Sequence, residues 1–284
     1  MRRTPRFDSR AEAGFTLIET VMVITITGVL AAVVARFIVA PVQAYLATAA
    51  RATLVDQADL TLRRIGRDLR IALPNSVRVS ASGLALELIP TSGGARFATE
   101  GSGALQAGVI DNSFDPLGPA LTLGTSQNLV FYNLGTGIVG SDAYAANGTA
   151  LEQVTSNRRS AANAAGAATS IKMLSLAALP VAAVAAPYRV LAVESPVSYR
   201  CDLAAGTLTR HQGYGFVATQ PDPPSGGSSA VLASGVTACG FSAEGTLVAA
   251  RAALVNLRLT LAAGAGASGE SVSLQHAVYV DNLP

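Results

Sequence analysis

Residues Phe15–Ala35 read FTLIETVMVITITGVLAAVVA, with Glu19 as the one charged side chain. As an α-helix, at ~1.5 Å per residue, this stretch spans roughly 30 Å, the thickness of the hydrocarbon core of a bilayer. Arg2, Arg3, Arg6 and Arg10 precede it against Asp8 and Glu12, and Arg36 follows where its long stem can snorkel to the far interface. The positive-inside rule keeps residues 1–14 cytoplasmic and carries everything beyond Arg36 across the membrane. A cleaved secretory signal is the alternative, with Ala31-Ala32-Val33 as its weak processing site. Against it, the chain continues past Arg36 in a helical pattern without a processing boundary.

That pattern shows as apolar residues at Leu54, Ala58, Leu62, Ile65, Leu69 and Leu73, spaced by threes and fours. The other side carries Arg51, Asp56, Arg63, Arg64, Arg67, Asp68 and Arg70, and Asp59 stands one turn before Arg63, the spacing of a helical ion pair. Gly28 and Pro41 interrupt the run, so a kink is expected at Pro41, or local melting there in a filament, and Pro74-Asn75 ends it. The domain reading is a leader over 1–14, a transmembrane helix over 15–36, its continuation over 37–74 and a head over 75–284.

In the head the pattern turns to short β-branched or alternating runs: 76–80, 84–89, 129–134, 188–194, 197–201, 207–211, 214–218, 253–262 and 272–280. Gly, Pro, Ser and Asp punctuate them. The expected fold class is α+β, a long N-terminal helix packed on a mainly antiparallel sheet. Residues 91–108, 141–170 and 220–229 read as surface loops, and Asn147-Gly148-Thr149 fits a glycosylation sequon.

The sequence is half hydrophobic and 13% charged, which excludes gross disorder. Its net charge of +2 is already accounted for by the leader, so nucleic acid is unexpected as a bulk electrostatic partner. Cys201 and Cys239 lack the spacing and neighbouring histidines of a zinc site; a single disulfide is the preferred reading over two free thiols if this part reaches an oxidising compartment. His211 and His276 belong to no ligand motif, and no nucleotide loop or nucleophile elbow occurs, so neither catalytic residues, metal nor cofactor is expected.

The hexapeptide Gly14-Phe15-Thr16-Leu17-Ile18-Glu19 resembles the processing site of type IV prepilins and type II secretion pseudopilins. The resemblance implies cleavage after Gly14 by a prepilin peptidase, which also N-methylates Phe15. It also implies that Glu19 meets the new amine of a neighbouring subunit during assembly, since a carboxylate in a membrane helix is costly without a partner. The partners so implied are that peptidase, other major and minor pilins, an inner-membrane assembly platform and the membrane itself. The expected location is the inner membrane with a periplasmic head, then a filament.

Further along, RRIGRDLRIALPNSVRV (63–79), PVSYRCDLAAGTLTRHQGYG, LASGVTACGF and HAVYVDNLP are similar to the O-type minor pilins of mannose-sensitive haemagglutinin pili. Leu232–Val236, Phe241 and Leu254–Leu261 also resemble J-type pseudopilins and W-type minor pilins. Residues 91–185 support no assignment. Some relatives bind calcium in head loops, and Asp111, Asn112 and Asp115 form an oxygen-rich cluster, but without the full EF-hand pattern an ordinary Asx turn is expected there. A tip adhesin using loop 141–170, or a membrane-tethered enzyme, are the readings from other classes.

Overall fold

The computed structural model describes residues 14–146, 156–244, 252–263 and 269–284. Most of the leader and the Asn147-Gly148-Thr149 sequon lie outside the described residues. Contacts separate the chain into two compact units, one ending at Ala50 and one beginning at Arg51.

The helix α1 runs over Leu17–Arg70. Thr16 opens it: the Glu19 amide donates to Thr16 Oγ1 at 3.3 Å and the Thr20 amide to the Thr16 carbonyl at 3.1 Å. Thr-x-x-Glu is the sequence of a capping box, with the hydroxyl satisfying one of the amides that a helix start leaves without a partner. In the first unit every residue from Gly14 to Leu46 is exposed, and α1 is long and apolar enough to cross a membrane. Pro41 lies inside α1, which stays helical around it. The missing amide leaves the Phe37 carbonyl without its usual partner.

The second unit holds the end of α1 and all strands. They are β1 (Arg78–Val79), β2 (Ala85–Leu88), β3 (Thr91–Phe97), β4 (Ser113–Phe114), β5 (Pro116–Leu117), β6 (Leu121–Leu123), β7 (Asn128–Phe131), β8 (Arg158–Ser160) and β9 (Gly166–Ala168). There follow β10 (Ile171–Lys172), β11 (Arg189–Val193), β12 (Val197–Asp202), β13 (Thr207–Gln212), β14 (Ser228–Ser234), β15 (Val236–Glu244), β16 (Ala252–Ala262) and β17 (Ser271–Asp281). All pairings among them are antiparallel, so the α+β expectation stands.

Two sheets cover α1, one ordered β1-β2-β12-β13-β14 and one β15-β16-β17. The face read from the sequence supplies the contact: Leu54, Ala58, Leu62, Ile65 and Leu69 are buried against Leu86, Tyr199, Leu208, Leu257, Leu259 and Val278. Burying side chains of this size contributes about 1.5–3 kcal/mol each before chain entropy is subtracted. The helix stops at Arg70, short of Pro74, because the next residues turn into strand contacts: the Thr91 amide donates to Ile71 O at 2.8 Å and the Leu73 amide to Ile89 O at 2.7 Å.

Between β2 and β12 the chain builds a second core. The sheet β5-β3-β11-β7-β8 carries Phe97 and Phe131, and β4, paired with β10, adds Phe114; the three ring centroids stand 5.7–5.9 Å apart in tilted or edge-on contacts. Entry and exit run together: Leu88 pairs with Val197, the Glu194 amide donates to Pro90 O at 2.9 Å, and Thr91 pairs with Val193.

Several loop expectations are corrected here. Residues 91–97 are the inner strand β3, not loop; its glycines make room for neighbouring leucines, since a Cβ on Gly94 would stand 2.7 Å from Leu191 Cδ2 and one on Gly93 3.3 Å from Leu121 Cδ1. Residues 158–160 and 166–168 are β8 and β9 within what read as the loop 141–170, and Arg158 and Arg159 are buried, not exposed. Arg159 donates to the carbonyls of Ser156 (2.6 Å), Arg158 (2.9 Å) and Ala178 (3.0 Å). Arg158 donates to Ala143 O and lies over the Phe216 ring at 4.0 Å. Burial pushes both guanidinium groups down to about 10, still charged at neutral pH.

Conversely, 214–218 is not a strand. Gly213 and Gly215 take positive φ (74° and 82°), and the Val217 and Ala218 carbonyls accept from Arg78 instead of from a neighbouring strand. β14 and β15 were missed; the loop at 220–229 is real up to Ser228, where β14 begins.

Candidate functional site

Gly14 and Phe15 precede the first turn of α1, where nothing lies within 4 Å of a Cβ added at Gly14 and Phe15 is 81% exposed. The peptide bond between them is therefore open to an enzyme. Glu19 follows in the first turn, its side chain exposed on the apolar segment. A carboxylate near a helix N-terminus is favoured by the helix dipole, and within a bilayer it would still require a cation.

Residues 9–35 match the family model described as the prokaryotic N-terminal methylation motif. The chain carries a type IV pilin-like prepilin signal. A prepilin signal followed by an exposed apolar helix indicates membrane anchoring, and it implies processing by a prepilin peptidase and assembly with other pilins. It is the signal of a substrate of that peptidase. No curated protein and no solved structure matches the chain.

The remaining residues singled out in the sequence fall apart from this site. Cys201 on β12 and Cys239 on β15 form a disulfide with Cα atoms 6.3 Å apart, joining the two sheets that cover α1. Asp59 and Arg63 make the expected ion pair at 2.7 Å. Asp68, read as a solvent-side residue, instead faces the sheet: it pairs with Arg210 at 3.0 Å and accepts from Tyr199 Oη at 2.5 Å. Asp111 accepts from the amides of Gln106 (2.8 Å) and Ser113 (3.5 Å), the Asx turn expected there.

One row of side chains was not foreseen. Glu87 on β2, Ser198 on β12 and His211 on β13 are direct cross-strand neighbours. The hydroxyl sits between acid and imidazole, whereas a proton relay needs the imidazole between the other two. Glu87 is moreover committed to Arg78 and Tyr214, and Ser198 is fully buried. The row is structural, and only strand register, which the sequence does not display, could have revealed it.

His211 sits beside Thr209, with Nε2 2.9 Å from Oγ1. Burial, then the charge of Arg200, lowers its pKa below the ordinary imidazole value. The unfolded chain therefore takes up this proton first as pH falls, so the stability of the head should decrease from about pH 6.5 downward. Unfolding midpoints measured between pH 5 and 8 should show this slope, and His211→Gln should flatten it; an unchanged slope in the variant would assign it to other groups.

Proposed function

We propose that the protein is a filament subunit of the type IV pilus class, a minor pilin of the kind found in mannose-sensitive haemagglutinin pilus biogenesis. It is cut after Gly14, N-methylated on Phe15 and stored in the inner membrane by α1 before assembly. Glu19 then meets the methylated amine of a neighbour, an opposite charge that offsets its cost in an apolar filament core. The observation that carries this reading is the methylation motif over residues 9–35, set on a helix whose apolar side chains are all exposed as far as Leu46. A priming or capping place suits a head with a second aromatic core between β2 and β12, more than a bulk repeating unit needs.

A J-type pseudopilin of type II secretion shares these features. A tip-binding role is favoured by one observation: Ile110, Val139 and Val181 are 71%, 92% and 70% exposed, and residues 173–188 contain no charged residue. The deciding measurement is intact mass of the membrane-extracted protein from cells with and without the prepilin peptidase. A peptidase-dependent chain starting at N-methylated Phe15 is expected. An uncut chain, or one cut beyond Ala35, would refute the pilin pathway.

A further inference from the structure

β17 is the last strand of its sheet. The Ala263 amide donates to Glu270 O at 2.9 Å, and the pairing of β16 with β17 continues that register without a bulge. Antiparallel alternation then points the backbone groups of Val272, Leu274, His276, Val278 and Val280 toward β16, and those of Ser271, Ser273, Gln275, Ala277 and Tyr279 away from it. No described residue bonds the outward set. Natural edges are commonly blunted by proline, lysine or a bulge, and β17 has none of the three.

Three contacts set α1 beside this strand, running the same way. Arg51 pairs with Glu270 at 2.7 Å, a Cβ at Gly66 would stand 3.6 Å from Val278 Cγ2, and the Asn75 amide donates to Asn282 Oδ1 at 3.2 Å. Between helix and strand lies a cleft of about 490 Å³ lined by Asp59, Leu60, Arg63, Gly66, Arg67 and Arg70 of α1 and by His276 of β17. Arg63 is paired with Asp59; Arg67 and Arg70 are exposed and make no ion pair among the described residues.

We infer that this cleft receives an extended acidic segment of another chain, which adds a strand to β17 and sets its carboxylates against Arg67 and Arg70, with Arg63 held by Asp59 at the cleft's other end. An unpaired edge offers donors and acceptors alternating at the spacing of another peptide backbone, whereas a phosphodiester has no donor for the carbonyls. Arg67 and Arg70 rise by ~4.5 Å along the helix against the ~6.7 Å between same-face side chains of a strand, a difference of ~2 Å that the long arginine stems span, so acids on alternate residues fit. A second copy of this chain does not supply the segment through the same edge, because Ser271–Val280 contains no acid. Such a partner is expected of a chain that assembles with others, the reading proposed above.

The test uses the full-length protein purified in detergent and a fluorescent nine-residue peptide alternating glutamate with valine or threonine. Saturable, salt-sensitive binding is expected, with at least tenfold slower hydrogen exchange at the amides of Gln275, Ala277 and Tyr279. Arg67→Glu with Arg70→Glu should weaken binding at least tenfold, as should Ala277→Pro, which removes an outward amide only. No binding, binding without edge protection, equal binding of a lysine-for-glutamate peptide, or equal affinity for a single-stranded DNA 12-mer would each overturn the inference. Exchange in the wild-type chain decides the matter even if the proline variant fails to fold. None of these readouts requires cleavage after Gly14, so their failure is separable from failure of the pilin pathway, which intact mass reports.

Discussion

Replacing Arg78 by alanine is expected to destabilise the head by about 3–5 kcal/mol, the cost of leaving one member of a buried ion pair without its partner. Glu87 is fully buried and Arg78 nearly so, with Nε 2.5 Å from Glu87 Oε2. The same guanidinium donates to Ala218 O at 2.7 Å and Val217 O at 2.8 Å and lies 3.7 Å from the Tyr144 ring centre. Tyr214 Oη supplies the other bond to Glu87 at 2.6 Å. Without Arg78, the carboxylate keeps one neutral donor, and the segment 214–218 loses its tether to β1. The unfolding temperature should fall by about 10 °C. Arg78→Met with Glu87→Met should recover part of this loss, because removing both charges also removes the desolvation cost. A drop below about 1 kcal/mol in the single variant would show that water reaches Glu87.

Cys201→Ala with Cys239→Ala should lower stability by about 4 kcal/mol, the loop-closure entropy for a bridge of this sequence separation. The cysteines are 38 residues apart, and the ring they close contains β13, β14 and the segment 214–227 that lies over β1 and β2. The bridge also ties the sheet of β12 to that of β15. Cys201 is 2% exposed, so substitution is a cleaner probe than reductant. Denaturant midpoints of both forms, at matched m-values, measure the difference. Equal midpoints would mean that the packing around α1 holds the two sheets together unaided.

Much of this was legible in the chain. The α1 face from Leu54 to Leu69 followed from spacing alone, since a helix shows its buried side at a period that few other patterns share. The prepilin signal is linear, six consecutive residues whose meaning needs no fold. The second core was hidden because its strands are built of what usually marks loops. Gly93 and Gly94 in β3 serve close approach by Leu121 and Leu191, and Arg158 and Arg159 are held by carbonyls supplied from residues 143–178. The groove beside β17 was half visible: the arginines were read as a polar helix face, but an unpaired edge exists only once strand order is known.

The aromatic-cored module enters at Ile89-Pro90 and leaves at Glu194-Ser195-Pro196, two crossings that lie side by side and are already paired with each other. A sequence grafted at such a seam leaves the register of β2 with β12 untouched whatever its length, because both ends return to the same place. Variation in the insert is thereby uncoupled from the core around α1. The packing of the helix with its two covering sheets does not depend on what residues 91–193 hold, so this alanine- and glycine-rich stretch can change in size and chemistry without disturbing it.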